Sequence, residues 1–289
     1  MGKIVRCLSD DGSVLVMALD AKDIVAEAVE IHQTSAVATV AMGKLISAAS
    51  MMGYLLKEKS DTITLRVNGD GPLSPLIAVS DYEGNVRACP AKSNVELPLT
   101  PDGKLDSGAA VGKNGILYVI RDMGLKEPYV GSTPIINGEI AEEITSYYAM
   151  SEQVPTVCSL GVAVNPDLTV KSAGGYIIQL LPFASEEVIC KVEKSIEDVP
   201  PVSEMLSSGM SCEDICRRVL KEFNLDILDS REPEYKCNCN RERVERALIS
   251  MGKKELSKLI EEDKKAEVNC QFCGNTYAFT EDDLIKLLK

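Results

Sequence analysis

The stretch that decides the reading is Tyr235–Leu288, YKCNCNRERVERALISMGKKELSKLIEEDKKAEVNCQFCGNTYAFTEDDLIKLL. It holds Cys237-Asn238-Cys239, then thirty residues, then Cys270-Gln271-Phe272-Cys273. Helical patterning over 241–250, 253–262 and 280–288 surrounds a short hairpin-like CQFCGNTYAF. So small a unit buries too little apolar surface to be comfortable alone and needs a staple. Two close cysteine pairs supply one, as four thiolates on a single tetrahedral zinc ion. CxxC followed by Gly274-Asn275 is a knuckle turn whose backbone amides can donate to sulfur. Four sulfur ligands leave no open position, so the zinc is expected to be structural and not catalytic. Free or purely redox thiols are the other reading of the same four residues.

Such a cluster is electron-rich. Under oxidation each close pair can close its own disulfide, and the very short CxC ring departs from relaxed geometry, which favours its later reduction. Losing zinc removes roughly 10–16 kcal/mol of apparent folding free energy from a small zinc domain, so oxidation is expected to unfold the tail.

The remaining composition narrows the function. The 289 residues are 45% apolar and 26% charged, which is globular, and length points to two domains or slightly more. Lys plus Arg number 31 against 44 acids, a net charge of −13, which disfavours a phosphate backbone as ligand. Tryptophan is absent and aromatics are 4%, so stacking platforms for single strands are scarce. His32 is the only histidine, so any Ser-His-Asp, Cys-His or His-rich zinc site would have to use that one residue, and a structural or solvated role is expected for it. The start, MGKIVRCLSDDG, has no signal-peptide pattern, so a reducing cytoplasm is expected, where cysteines bind metal or sense redox. Ile31–Leu56 is apolar with Lys44 as its only formal charge, but its Ala, Gly, Ser and Thr content suits a helix buried against a sheet better than a membrane span.

Along the chain, residues 1–184 alternate strand and turn text. Strands are expected over 62–67, 76–80, 86–89, 116–121, 157–164 and 176–181, with a helix over 139–153. Grouped strands with a few long helices give an α+β core rather than a βαβ repeat. No nucleotide cradle appears: Gly43-Lys44 lacks the rest of a P-loop, and the other glycines read as turns. Residues 185–231 read as a helical linker with 11 acids against 6 bases. Val188, Ile189, Val192 and Ile196 share a helical face, as do Ile215, Val219 and Phe223, and this stripe needs a cover. Residues 232–289 form the third part, the zinc-binding domain.

Here the chain resembles the redox-regulated heat-shock chaperones of bacteria, the family once called the thirty-three-kilodalton chaperonin. The tail matches the family's CxC, about thirty residues, then CxxC on all four cysteines. The likeness continues through NGDGPLSPL, KSNVELPL, GEIAEEITSYYAMSEQVPT and AGGYIIQLLP, covering nearly the whole chain. The resemblance implies a non-enzymatic, ATP-independent holdase that is zinc-bound and inactive when reduced. Oxidation would form disulfides Cys237–Cys239 and Cys270–Cys273, release zinc and activate it. It further implies unfolded client proteins as partners, a homodimer on activation and thiol reductants that reset the switch.

The linker stripe is the expected client surface: hidden with zinc bound, uncovered when the tail melts. The competing functions are a zinc-ribbon adaptor for RNA or ribosomes and a thiol–disulfide oxidoreductase using CxxC. The acidic balance opposes the first. The second leaves the CxC pair unexplained, since redox CxxC motifs normally open a helix after a strand. Cys212 and Cys216 fall at i, i+4 and read as core filler or as an auxiliary redox or metal pair.

Overall fold

The computed structural model describes residues 2–182 and 184–288. Its first strands, β1 (Lys3–Ser9) and β2 (Val14–Asp20), pair antiparallel around a turn at Gly12. Helices α1 (Lys22–His32) and α2 (Ala36–Gly53) follow, then β3 (Thr62–Asn68), β4 (Leu76–Asp81) and β5 (Val86–Pro90). Next come α3 (Ser107–Val111), β6 (Ile116–Asp122), β7 (Tyr129–Pro134) and α4 (Ile140–Tyr147), the last running into a π-helical turn, Tyr148–Glu152. Strands β8 (Thr156–Val164) and β9 (Val170–Leu180) lead to helices α5 (Glu186–Ile196), α6 (Val202–Ser207) and α7 (Cys212–Val219), then β10 (Leu225–Arg231). The remainder is α8 (Arg241–Ser250), α9 (Lys253–Asp263), β11 (Lys265–Asn269), β12 (Thr276–Thr280) and α10 (Glu281–Leu287).

This is an α+β protein, with two compact units, Met1–Tyr235 and Lys236–Lys289. In the first unit one antiparallel sheet has the order β10-β1-β2-β9-β8 and the other β5-β4-β3-β6-β7. Helix α2 packs on strands of both sheets, and one apolar cluster joins Met42, Leu45 and Ile46 to residues of each. Its composition would suit a membrane span, yet 89% of its apolar window is buried in protein. Gln33, in the left-handed conformation at φ 50°, ends α1, so the expected apolar run 31–56 is two helices and not one.

The opposite face of the first sheet is covered by α5, α6 and α7. Val5 and Cys7 of β1, Val14, Val16 and Ala18 of β2, and Tyr176 and Ile178 of β9 pack against Val188, Val192, Met205, Ile215 and Val219. That sheet is therefore buried on both faces. Helix α6 approaches most closely, because Gly161 and Gly174, paired across β8 and β9, leave no side chain between sheet and helix. A Cβ on Gly161 would lie 2.7 Å from the Ser203 backbone nitrogen. The Ser172 hydroxyl donates to the Ser203 carbonyl at 2.9 Å and fixes the seat.

The stretch expected to be helical to residue 231 instead ends in strand β10, which pairs with β1 as the edge of the sheet. Polar partners hold it there. Asp229 takes a bidentate pair from Arg6 and a 2.6 Å bond from the Tyr54 hydroxyl, and Arg231 stacks on Tyr82 at 4.3 Å. Beyond it the Gly2 N–H donates to the Pro233 carbonyl, and the Tyr235 hydroxyl donates to the Ala88 carbonyl.

Candidate metal centre

The second unit has a small core: Leu248, Leu256, Ile260, Phe279 and Leu284 are its buried apolar side chains. Its three helices and hairpin fall where the helical and turn patterns predict. Arg241 stacks on Phe279 at 4.4 Å and pairs with Asp283, while Thr280 and Asp283 close a capping box at the start of α10. Each device adds about 0.3–1.5 kcal/mol, too little in sum to replace a missing core.

Cys237 and Cys239 lie on the extended segment before α8, where Asn240 caps the helix by accepting from the Arg243 N–H. Arg243 also reaches back to Asn238 and steadies the residue between the two thiols. Cys270 and Cys273 occupy the turn joining β11 to β12. The Cys270 N–H donates to the Asn275 carbonyl at 2.8 Å, and the Gly274 N–H donates back to the Cys270 carbonyl at 2.9 Å. Gly274 takes φ 70°, a left-handed value that glycine adopts without a Cβ penalty. The CxxC is thus a hairpin turn and does not open a helix, which removes the structural context of a thiol–disulfide oxidoreductase.

The four sulfurs lie within 4.8 Å of one another. Cys237 Sγ is 3.7 Å from Cys270 Sγ, and Cys239 Sγ is 3.3 Å from Cys273 Sγ. A tetrahedron with metal–sulfur bonds of about 2.3 Å has edges of about 3.8 Å, so the sulfurs stand near the corners of a metal site. The close approaches run from one pair to the other, which suits one shared ion better than two separate dithiols. Among the described residues this is the group of histidine, cysteine and acidic ligands gathered closely enough to hold a metal ion.

The surroundings stabilise charge on one sulfur, Cys239, and oppose it on Cys237 and Cys273. Burial opposes ionisation of Cys239, but hydrogen bonds from Tyr277 and the neighbouring thiols bring it down to about 7. Tyr277 donates its hydroxyl to Cys239 Sγ at 3.1 Å. Burial raises Cys237, against an N–H bond from Cys239, and likewise raises Cys273, against an N–H bond from Asn275. Of the two backbone donors expected in the knuckle turn, the Asn275 N–H is seen on Cys273; the other N–H on sulfur, that of Cys239, belongs to the CxC segment. Tyr277 is a contact that the cysteine spacing does not announce; it enters from β12, where it pairs with Val268.

The stripe residues are all in the first unit. Val188, Val192, Ile215 and Val219 are buried against the sheet, and Ile196 and Phe223 pack at the margin of that cluster. Ile189 does not join them: it is 37% exposed and lines a groove with Pro155 and Leu180. Its position in α5 is one residue off the inward face that Val188 and Val192 share.

Comparison with known proteins agrees along the full length. The family described as "Hsp33 protein" matches residues 2–280. A "33 kDa chaperonin" of Lachnoclostridium phytofermentans is 46% identical over 97% of this chain and 96% of its own. One from Clostridioides difficile is 44% identical over 99% of this chain and 98% of its own. The crystal structure of the 33 kDa chaperonin (heat shock protein 33 homolog) of Thermotoga maritima superimposes with a TM-score of 0.90 at 36% identity, covering 99% of this chain and 97% of that one.

Proposed function

The chain belongs to the Hsp33 family, and from that premise we propose that it is an oxidation-activated, ATP-independent holdase. The observation that carries the proposal is the meeting of four thiols, two from each motif, at metal-site spacing. Cys237, Cys239, Cys270 and Cys273 would hold zinc; when bound, it keeps the sulfurs as thiolates and ties the segment before α8 to the hairpin.

An oxidant such as a hydroperoxide takes two electrons from each close pair. Cys237 joins Cys239 and Cys270 joins Cys273, each by a new S–S bond, while one peroxide per pair is reduced to water. The four sulfurs can then no longer serve as ligands together. A core of five buried side chains is too small to stay folded unaided, and Lys236–Lys289 melts. The chain runs directly from β10 into this domain, so its melting removes order from the end of the linker. The layer of α5, α6 and α7 then lifts and exposes the sheet face and its own stripe: Val188, Ile189, Val192, Ile196, Ile215, Val219 and Phe223. That apolar surface binds unfolded clients and pairs two chains into a homodimer. Thiol reductants restore the ligands. No bond in a client changes, so the protein works as a chaperone in the cytoplasm and not as an enzyme.

The test is light scattering of a heat-unfolding client mixed with the chain without ATP. Suppression of aggregation after peroxide, little before it, and reversal by dithiothreitol are expected. Equal suppression by the reduced and oxidised chains would overturn the redox reading.

A further inference from the structure

A pocket of about 430 Å³ opens where α2 ends, lined from one sheet of the first unit by Gln179 of β9 and from the other by Arg121 of β6. That volume is within the range of small-molecule sites. Its apolar wall is Met52, Leu55, Leu56, Met123 and Val154. Asp61 lies on the same lining and is only 6% exposed. Among the described residues its carboxylate receives one hydrogen bond, from the Glu58 N–H at a long 3.3 Å, and no ion pair. A buried carboxylate is ordinarily paired with a cation or held by several donors. The nearby cations do not fill that role. Arg121 is engaged by Glu152 at 3.2 Å, and Lys57, also on the lining, is exposed to solvent. Two further buried polar residues, Tyr148 and Gln179, line the pocket, and the Gln179 amide donates to the Thr156 hydroxyl at 3.3 Å. Tyr148 opens the π-helical turn, a local geometry frequent at functional sites.

We propose that this pocket binds a small organic cation, a primary ammonium head on an apolar body, with Asp61 as its counter-charge. The ammonium has three N–H donors and meets a carboxylate that holds one weak bond. Charge-assisted bonds of this kind are roughly twice as strong as neutral ones. The body of the ligand covers Met52, Leu55, Leu56 and Val154 and displaces water from them. Two other ligand classes fit less well. A neutral apolar molecule would bury Asp61 further and give it no partner. An anion would face Asp61 across the apolar wall, where charges act most strongly, with only the solvent-screened Lys57 in its favour, because Arg121 is already paired. Binding is non-covalent. The site lies wholly within the first unit and rests on no part of the chaperone reading.

The experiment titrates the full, zinc-loaded chain with 2-phenylethylamine, its neutral isostere 2-phenylethanol and the anion phenylacetate. Methyl NMR signals of Met52, Leu55, Leu56, Met123 and Val154 report occupancy. The amine should move them saturably and bind at least about tenfold more tightly than the alcohol, with phenylacetate weakest. Asp61→Asn keeps an acceptor for the Glu58 N–H. It should lower the amine's affinity by roughly ten- to hundredfold and leave the alcohol's unchanged. Met123→Ala, at an exposed position of the apolar wall, should weaken amine and alcohol by the same factor. Equal affinities of amine and alcohol for the unaltered chain overturn the role of Asp61, as does an amine affinity that Asp61→Asn does not change. Tighter binding of phenylacetate assigns the pocket to an anion and overturns the proposal, and signals that none of the three probes moves overturn the site. If Asp61→Asn does not fold, the ratio of amine to alcohol affinity on the unaltered chain decides alone.

Discussion

Replacing Gly161 by valine tests the docked linker without touching a linker residue. The added Cβ would lie 2.7 Å from the Ser203 backbone nitrogen, 2.8 Å from Val202 Cγ1 and 2.9 Å from Ser203 Cβ. A backbone atom cannot swing aside as a side-chain tip can, so α6 must move. Lifting α6 fully would expose Val202 and Met205, both nearly buried, at roughly 1.5–3 kcal/mol each. Absorbing the overlap by small shifts costs less, about 1–3 kcal/mol, and is the route expected. That cost raises the undocked fraction by roughly 5- to 150-fold. Gly161→Ala should give a smaller shift in the same direction. Hydrogen exchange on the reduced, zinc-loaded variant should quicken over 202–219 and stay unchanged over 241–287. Client aggregation should be partly suppressed without oxidant. A variant that exchanges faster over α6 and α7 yet remains inactive would refute the idea that docking hides the client surface.

A charge at a buried stripe position should act more strongly: Val192→Glu or Val219→Glu places an unpaired carboxylate in the apolar layer, costs several kcal/mol, and should give activity under reducing conditions. The double variant Cys237→Ser, Cys239→Ser should lose zinc and the ordered signals of residues 236–289; substantial zinc retention would sink the four-sulfur site. Acid should loosen α7. The Lys3–Glu213 bond at 2.7 Å holds Glu213 below the usual carboxylate range and Lys3 above the usual ammonium value. Glu213 contributes stability above its unfolded pKa that is lost as pH falls through the lower folded value, and Lys3 contributes stability that is lost only as pH rises past about 10.5. Exchange over 212–219 should therefore quicken below about pH 4 and stay flat through neutrality. Sedimentation should find the oxidised, active chain as a dimer or larger, and a strictly monomeric active form would contradict the proposed association.

The four-cysteine unit is legible because its signals are local: cysteine spacing, helical periodicity and one glycine turn all lie within about fifty residues. The buried state of α2 was equally plain from its small residues. Strands β1 and β2 were not, since a sheet covered on both faces leaves near-continuous apolar runs in place of alternation. Strand β10 is hidden in the sequence because its text, LDILDSR, is largely polar, and its partner β1 lies at the other end of the chain. The same distance hid the Gly161–Gly174 seat. Cys212 and Cys216, at i, i+4 on α7, lie buried in the apolar layer against the sheet, as the core-filler reading expects. Ile189 fits the helical repeat loosely, and only packing shows that Val188 and Val192 define the inward face.

The central claim is that the four-sulfur centre governs chaperone activity. Zinc per chain, reactive thiols at Cys237, Cys239, Cys270 and Cys273, and suppression of client aggregation should be followed on one sample during titration with peroxide. One zinc and no activity are expected at the start, with four thiols protected from alkylation. Zinc loss, closure of two disulfides and the rise of activity should then advance together. Full activity with zinc still bound, or complete zinc loss with no activity, would contradict the account.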